Sequence, residues 1–85
     1  MRVEYDEKFG EMNADYELHD RGIIIYSNDS IHIGYWDNGD DAPGNYITIW
    51  YGGRFDVGEC YLKDGKRCYK GTRYLTDGTS EKFGN

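Results

Sequence analysis

The sequence has a single proline, Pro43, and only two cysteines, Cys60 and Cys68, in 85 residues. Proline cannot donate to a sheet ladder, so its scarcity leaves almost every segment free to pair as strand. Two cysteines cannot build the disulfide framework of a small secreted scaffold. Their Cys-x7-Cys spacing, with no histidine nearby, is not a zinc signature either. Long apolar runs are missing too. The longest aliphatic run is Ile23-Ile24-Ile25, against the roughly 20 residues that a membrane-spanning helix needs. The first residues, Met1-Arg2-Val3-Glu4-Tyr5-Asp6, are charged at once, unlike the n- and h-regions of a signal peptide. The chain reads as cytoplasmic, with both thiols free.

Catalytic grammar is equally sparse. No nucleophile elbow and no Ser-His-Asp or Cys-His grouping occurs at local spacing. Gly52-Gly53 is too short for a phosphate loop and is not followed by Lys-Ser/Thr. The segment Asp37-Asn38-Gly39-Asp40-Asp41 lacks the alternating ligands and closing glutamate of a calcium loop. The two histidines, His19 and His32, fall on separate expected strands, and a zinc site would need a third ligand such as Glu17 or Asp20. Carboxylates are plentiful, but a chain this short rarely builds the cleft a glycosidase requires. We therefore expect no enzyme, no metal and no cofactor.

What the chain does have is tyrosine, glycine and a beat. Nine tyrosines account for much of a hydrophobic content of only 38%, so the core of this single domain, 1–85, must be thin and aromatic. Gly39, Gly52, Gly65 and Gly78 recur every 13 residues. The residue before each is Asn38, Tyr51, Asp64 or Asp77, and three before each stands Trp36, Ile49, Leu62 or Leu75. Asn-Gly and Asp-Gly favour the two-residue type I′ hairpin, whose central residues both need positive φ. A strand plus a tight turn fits this beat, so residues 44–83 read as an antiparallel meander. Centring one hairpin on Asp64-Gly65 pairs Lys63 with Lys66, Leu62 with Arg67, Tyr61 with Cys68 and Glu59 with Lys70. Cys60 and Cys68 then point to opposite faces, which excludes a disulfide between them. The same centring on Gly52-Gly53 pairs Trp50 with Phe55, and on Asp77-Gly78 it pairs Tyr74 with Glu81.

The pieces Tyr51-Gly52-Gly53-Arg54-Phe55, Tyr61-Leu62-Lys63-Asp64-Gly65, Tyr69-Lys70-Gly71-Thr72 and Tyr74-Leu75-Thr76-Asp77-Gly78 resemble MORN-type repeats, in which short hairpins stack in a row. The resemblance covers about the last 40 residues. It implies a scaffold or binding element.

Charge is unevenly spread. Residues 1–42 carry eleven acids and three bases, a net of −8, whereas residues 43–85 carry five acids and seven bases, a net of +2. The acidic half also looks extended. Residues 2–6, 15–19 and 31–35 alternate apolar with polar, residues 23–27 read as a buried strand, and Asp20-Arg21-Gly22, Asn28-Asp29-Ser30 and the acidic loop 37–44 read as turns. A short helical turn over 7–13 has little support. Alternate residues on one strand face lie roughly 7 Å apart, similar to the phosphate repeat of a nucleic-acid strand.

These patterns predict an all-β fold, a single twisted antiparallel sheet of about six strands in a meander, or a half-open barrel. The expected function is a non-catalytic binding protein whose acidic face occupies a basic, nucleic-acid-binding surface of a protein partner. The expected contacts are Glu4, Asp6, Asp15, Glu17, Asp37, Asp40 and Asp41, with Tyr35 and Trp36 as aromatic anchors. Excess negative charge argues against direct nucleic-acid binding. In size, charge and composition the chain is similar to small phage-encoded inhibitors, including anti-CRISPR proteins. The rival expectation is an assembly module whose stacked hairpins form a homo-oligomer.

Overall fold

The computed structural model describes residues 5–84, with the backbone alone for Tyr5 and Asp6. It is an open antiparallel sheet with no helix among the described residues. The strands are β1 (Tyr5–Met12), β2 (Leu18–Tyr26), β3 (Ile31–Asp37), β4 (Asp40–Asp41), β5 (Gly44–Ile49), β6 (Phe55–Lys63), β7 (Lys66–Tyr74) and β8 (Ser80–Phe83). Their order across the sheet is β1-β2-β3-β5-β6-β7-β8, with the two-residue β4 paired to the end of β3. The expected architecture is therefore present, with eight strands rather than about six. β1 runs through residues 7–12, where a helical turn had little support, and the short β4 lies within the acidic segment 37–44 expected as a loop.

Turn chemistry sets the register. Asn38-Gly39 and Asp64-Gly65 both have positive φ (49° and 90°, 53° and 76°), as a two-residue type I′ loop requires. The β6–β7 pairing follows as expected: Lys63↔Lys66, Leu62↔Arg67, Tyr61↔Cys68 and Glu59↔Lys70. Glu59 and Lys70 meet at 3.6 Å. Cys60 pairs with Tyr69 and so lies on the opposite face from Cys68, and both are free thiols.

The turns at the other end of the sheet differ, and two expectations fail there. Gly53 N–H donates to Trp50 O at 3.1 Å, and Trp50 N–H donates to Arg54 O at 2.8 Å. Gly78 N–H and Leu75 N–H make the same bonds to Leu75 O and Thr79 O. These are three-residue loops closed by a left-handed glycine, with φ 99° at Gly53 and 89° at Gly78. The extra loop residue shifts the pairing by one. Ile49, not Trp50, pairs with Phe55, and Tyr74 pairs with Ser80, leaving Glu81 to Arg73. A shift of one exchanges the faces, so Trp50 and Phe55 point to opposite sides. Loop 26–30 has the same hydrogen bonds, with Asp29 at φ 66° in the left-handed position. The 13-residue beat thus alternates between two turn types at opposite ends of the sheet.

Asp20-Arg21-Gly22 is not a turn. The chain runs through it in β2, with Asp20 at φ 79° beside a register irregularity between Gly10 and Met12 of β1, a bulge rather than a reversal. Of residues 15–19, expected to extend as strand, 15–17 lie instead in the β1–β2 turn, and only Leu18 and His19 belong to β2.

The two faces of the sheet are unequal. One carries the small core of Leu18, Ile24 and Trp36, with Tyr26 packed against it. Ladder partners place His32, Thr48, Asp56, Cys60, Tyr69 and Arg73 on this same face. The other carries Ile23, Ile33, Ile47 and Val57 in one row and Ile25, Ile31, Ile49, Phe55 and Tyr74 in the next. We call these the closed and the open face.

Candidate functional site

Three regions hold chemistry. The first is an acidic corner built by the β1–β2 and β3–β4 turns. Asn13 Nδ2 donates to Asn38 Oδ1 at 2.8 Å, and Gly39 N–H donates to Leu18 O at 2.8 Å, which locks the two turns together. Asn13 Oδ1 accepts the N–H groups of Asp15 and Glu17 at 2.8 and 3.0 Å, and so shapes the first turn from within. Glu17 is half-buried and lies over Gly39, where an added Cβ would come within 3.2 Å of its carboxylate. Asp15, Asp37 and Asp40 are exposed. His19 Nδ1 accepts from Asn38 N–H at 3.2 Å and stands 3.8 Å from Asp37.

The structure therefore gathers four of the expected contact acids, Asp15, Glu17, Asp37 and Asp40, at one corner. Glu4 lies outside the described residues, and the Asp6 side chain is not described. Asp41 is not an outward-facing acid. It accepts a hydrogen bond from Tyr69 Oη at 2.8 Å, and its carbonyl accepts one from Arg67 Nε. Tyr35 is exposed, on the open face, with its ring against Gly44. Trp36 corrects an expectation: it is only 3% exposed and belongs to the core, so its ring is no surface anchor. Alternation along β3 put Trp36 and Tyr35 on opposite faces, and a one-residue difference decided which was buried.

The second region is a polar cluster on the closed face. His32 Nδ1 and Thr48 Oγ1 are 2.8 Å apart, and Nε2 is 3.8 Å from Asp41. The His32 ring stacks on Tyr46 at 5.2 Å, and Tyr46 meets Tyr69 edge-on at 5.9 Å. Burial lowers the His32 pKa, against the pull of Asp41. Burial and the hydrogen bond to Asp41 push the Tyr69 phenol far up. Asp56, 4% exposed, takes a two-pronged hydrogen bond from Arg73, Nε to Oδ1 at 2.9 Å and Nη2 to Oδ2 at 3.2 Å. Trp50 Nε1 approaches the same carboxylate at 3.4 Å. Asp56, Thr48 and Tyr69 are thus held by structural partners, and a small cavity of about 290 Å³ lies beside His32, Thr48 and Trp50, lined also by Tyr26, Asn28 and Ser30. His19 and His32 do not meet. His32 is paired across the ladder with Ile24, while His19 sits beyond Asp20, at the Asp37 end of β3. No group of three or more His, Cys, Asp or Glu gathers as a metal site among the described residues.

The third region escaped the sequence reading. Gly10 pairs with Gly22 and Gly22 with Gly34, and Tyr46 pairs with Gly58 and Gly58 with Gly71. A near-continuous row of glycines therefore crosses the sheet at right angles to its strands. Backbones approach closely along it. A Cβ on Gly71 would stand 2.3 Å from Val57 O, and one on Gly10 would stand 2.4 Å from Arg21 O. The side-chain positions of Gly22, Gly34 and Gly58 face the closed side, where Leu18, Tyr46 and His32 crowd them, and on the open face the backbone of the row runs along a trough of about 1270 Å³. One wall is the ladder Phe9–Ile23–Ile33–Ile47–Val57–Thr72. The other is polar, with Glu11 bonded to Arg21 at 2.9 Å, then Tyr35 and Asn45, then Glu59 with Lys70. The signal was legible in principle, as a second glycine series spaced one strand and turn apart. The turn glycines hid it.

No helix among the described residues is long and apolar enough to cross a membrane. Compared with known proteins, the chain matches no family model, no curated protein and no solved structure.

Proposed function

We propose that this is a non-catalytic binding protein whose acidic corner occupies a basic surface of a partner protein, one that itself handles nucleic acid. The observation that carries this reading is the joining of the two acidic turns. Asn13 to Asn38 and Leu18 to Gly39 hold Asp15, Glu17, Asp37 and Asp40 on one preorganised rim. Preorganised carboxylates lose little side-chain freedom on meeting lysine and arginine, and their field accelerates encounter with a cationic groove. The carboxylates would stand where phosphates stand, as in small nucleic-acid-mimicking inhibitors of the anti-CRISPR kind. The site proposed is smaller than the full acidic half, because Asp41 is engaged by Tyr69 and Trp36 is buried.

The test is a pull-down from host lysate with the tagged chain at low and moderate salt, repeated with Asp15, Asp37 and Asp40 changed to Asn. A nucleic-acid-handling protein held at low salt, displaced by DNA or RNA and lost with the triple variant supports the reading. Retention that ignores both salt and the variant refutes it.

A second reading, an assembly module forming a homo-oligomer, is favoured by the two sheet edges, β1 and β8, that pair with one neighbour only among the described residues. Unpaired edge strands are templates for pairing with another chain. Sedimentation over a wide concentration range separates the two readings, since only this one predicts growth of the species with concentration.

A further inference from the structure

We infer that Asn38-Gly39, at the tip of the β3–β4 turn, is a deamidation site that the joint between the two acidic turns holds closed. The modification needs only water and the chain itself. It is independent of what the acidic corner binds.

The chemistry is intramolecular. The Gly39 backbone nitrogen, once it loses its proton, attacks the side-chain carbon Cγ of Asn38. A C–N bond forms, the Cγ–Nδ2 bond breaks, and the departing ammonia takes up a proton in place of the one lost. Water then opens the five-membered imide at either carbonyl, giving aspartate or isoaspartate. Nothing is oxidised or reduced. A following glycine eases the attack, because it has no side chain to hinder the approach of its nitrogen. Asn13 precedes Ala14, Asn28 precedes Asp29 and Asn45 precedes Tyr46, whereas Asn38 precedes glycine. Asn38 and Gly39 are both exposed, so water for the second step is at hand.

The folded chain restrains each participant. Gly39 N–H donates to Leu18 O at 2.8 Å, so the attacking nitrogen is tied to β2. Asn38 Oδ1 accepts from Asn13 Nδ2 at 2.8 Å, and Asn38 Nδ2 donates to Asp37 Oδ1 at 3.0 Å. These bonds fix the amide that must swing over the Gly39 nitrogen. Charge opposes the reaction as well. The Glu17 carboxylate would lie 3.2 Å from a Cβ on Gly39, and Asp37 stands on the other side of Asn38. The deprotonated nitrogen and the intermediate at Cγ are both anionic, and neighbouring carboxylates disfavour further negative charge.

Turn type alone does not give this protection. Asp64-Gly65 closes the same kind of two-residue loop, with φ of 53° and 76° against 49° and 90°. There the missing Gly65 side chain would meet nothing within 4 Å. The Gly65 N–H donates to no backbone group among the described residues. Its sequence neighbours Lys63 and Lys66 are cations. One turn is clamped by tertiary contacts among acids, and the other stands open among bases.

Either product weakens the joint that restrained it. Aspartate at position 38 exchanges a donor to Asp37 for a second negative charge. Isoaspartate lengthens the backbone by one carbon, against the pairs Trp36↔Asp41 and Asp37↔Asp40.

The experiment incubates the whole chain carrying Asp64→Asn at mildly alkaline pH, folded and in concentrated guanidinium. Peptide mapping follows both positions through the mass change of –NH2 to –OH and through isoaspartate. In guanidinium the two positions are expected to convert within about threefold of each other. In the folded chain position 38 is expected to convert at least about tenfold more slowly than position 64, and than itself in guanidinium. Asn13→Ala, which removes the amide bond between the turns, is expected to speed position 38 by about threefold or more while the far-UV spectrum holds. Glu17→Gln, which keeps the acceptor and removes the charge, is expected to speed it by about twofold. The inference is overturned if position 38 converts as fast folded as in guanidinium, or converts in neither. It is also overturned if the two positions keep pace in the folded chain, or if Asn13→Ala and Glu17→Gln both leave the rate unchanged. Should Asp64→Asn fail to fold, the folded and denatured parent chain and the other two variants decide the matter by the same criteria.

Discussion

The two faces of this sheet invert the usual arrangement of a one-layer β protein. The closed face buries polar chemistry, with Asp56 held by Arg73, His32 by Thr48 and Asp41 by Tyr69. The open face leaves Ile33, Ile47 and Ile49 more than a third exposed. In an ordinary open sheet the apolar face is the covered one. Here the closed face covers itself, because its side chains are long and flat. Tyr46 lies over Gly58 and reaches back toward Gly34, and Leu18 lies over Gly22. Aromatic rings laid along a glycine row shelter the polar groups beside them. Short branched isoleucines cannot fold over in this way, so the open face stays uncovered. Stability is therefore concentrated on the polar face.

That contrast can be broken most directly at Asp56. Arg73→Met strands a carboxylate that is 4% exposed, and loss of one partner of a buried pair costs about 3 kcal/mol or more. Urea denaturation should show a midpoint shift large enough to threaten folding. A value near zero would mean that the closed face does not carry the stability.

The glycine row offers a smaller effect. In Gly71→Ala the new Cβ meets Val57 O and the Gly58 Cα, both backbone atoms that cannot swing aside. Overpacking of this kind costs about 1–3 kcal/mol. Gly65→Ala meets nothing within 4 Å and strains only its own φ of 76°, about 1–2 kcal/mol. Thermal melts should rank Gly71→Ala as the more damaging. The opposite order would show that the backbones at Gly71 and Gly58 do not approach this closely.

Acid sharpens the comparison through His32. Burial holds its folded pKa below the ordinary 6.5, so the unfolded chain takes up the proton first as pH falls. The stabilisation is complete above about pH 7, shrinks as pH drops through 6.5, and is lost below the folded pKa. Denaturation midpoints across pH 5–8 should fall with acid in the parent chain. His32→Gln should flatten that part of the curve.

The smallest effect belongs to the open face. Ile47→Thr keeps a β-branched side chain at a position 39% exposed, so its cost should stay within about 1 kcal/mol. A loss comparable to that of Arg73→Met would show that the isoleucines form a core in solution, covered by another chain.

Much of this was readable in the residues. Asp64-Gly65 specified a two-residue loop, and with it every pair from Lys63↔Lys66 to Glu59↔Lys70. Gly52-Gly53 and Asp77-Gly78 wear the same signature but close three-residue loops. A glycine at the left-handed position serves either loop, so local sequence could not tell which register would follow. In the candidate site, the joining of Asp15 and Glu17 to Asp37 and Asp40 depended on Asn13 reaching Asn38 across two strands, a contact far apart in sequence.

The sequence by itself determined strand against helix, the meander, its reversals from residue 28 onward and the segregation of charge between the halves. Each follows from short-range effects: backbone sterics, turn φ and side-chain alternation. Only the tertiary structure decided which face closes, which acids stay outward and where the glycines align. Those depend on one-residue shifts in register, and each shift moves a whole strand's side chains to the other side of the sheet.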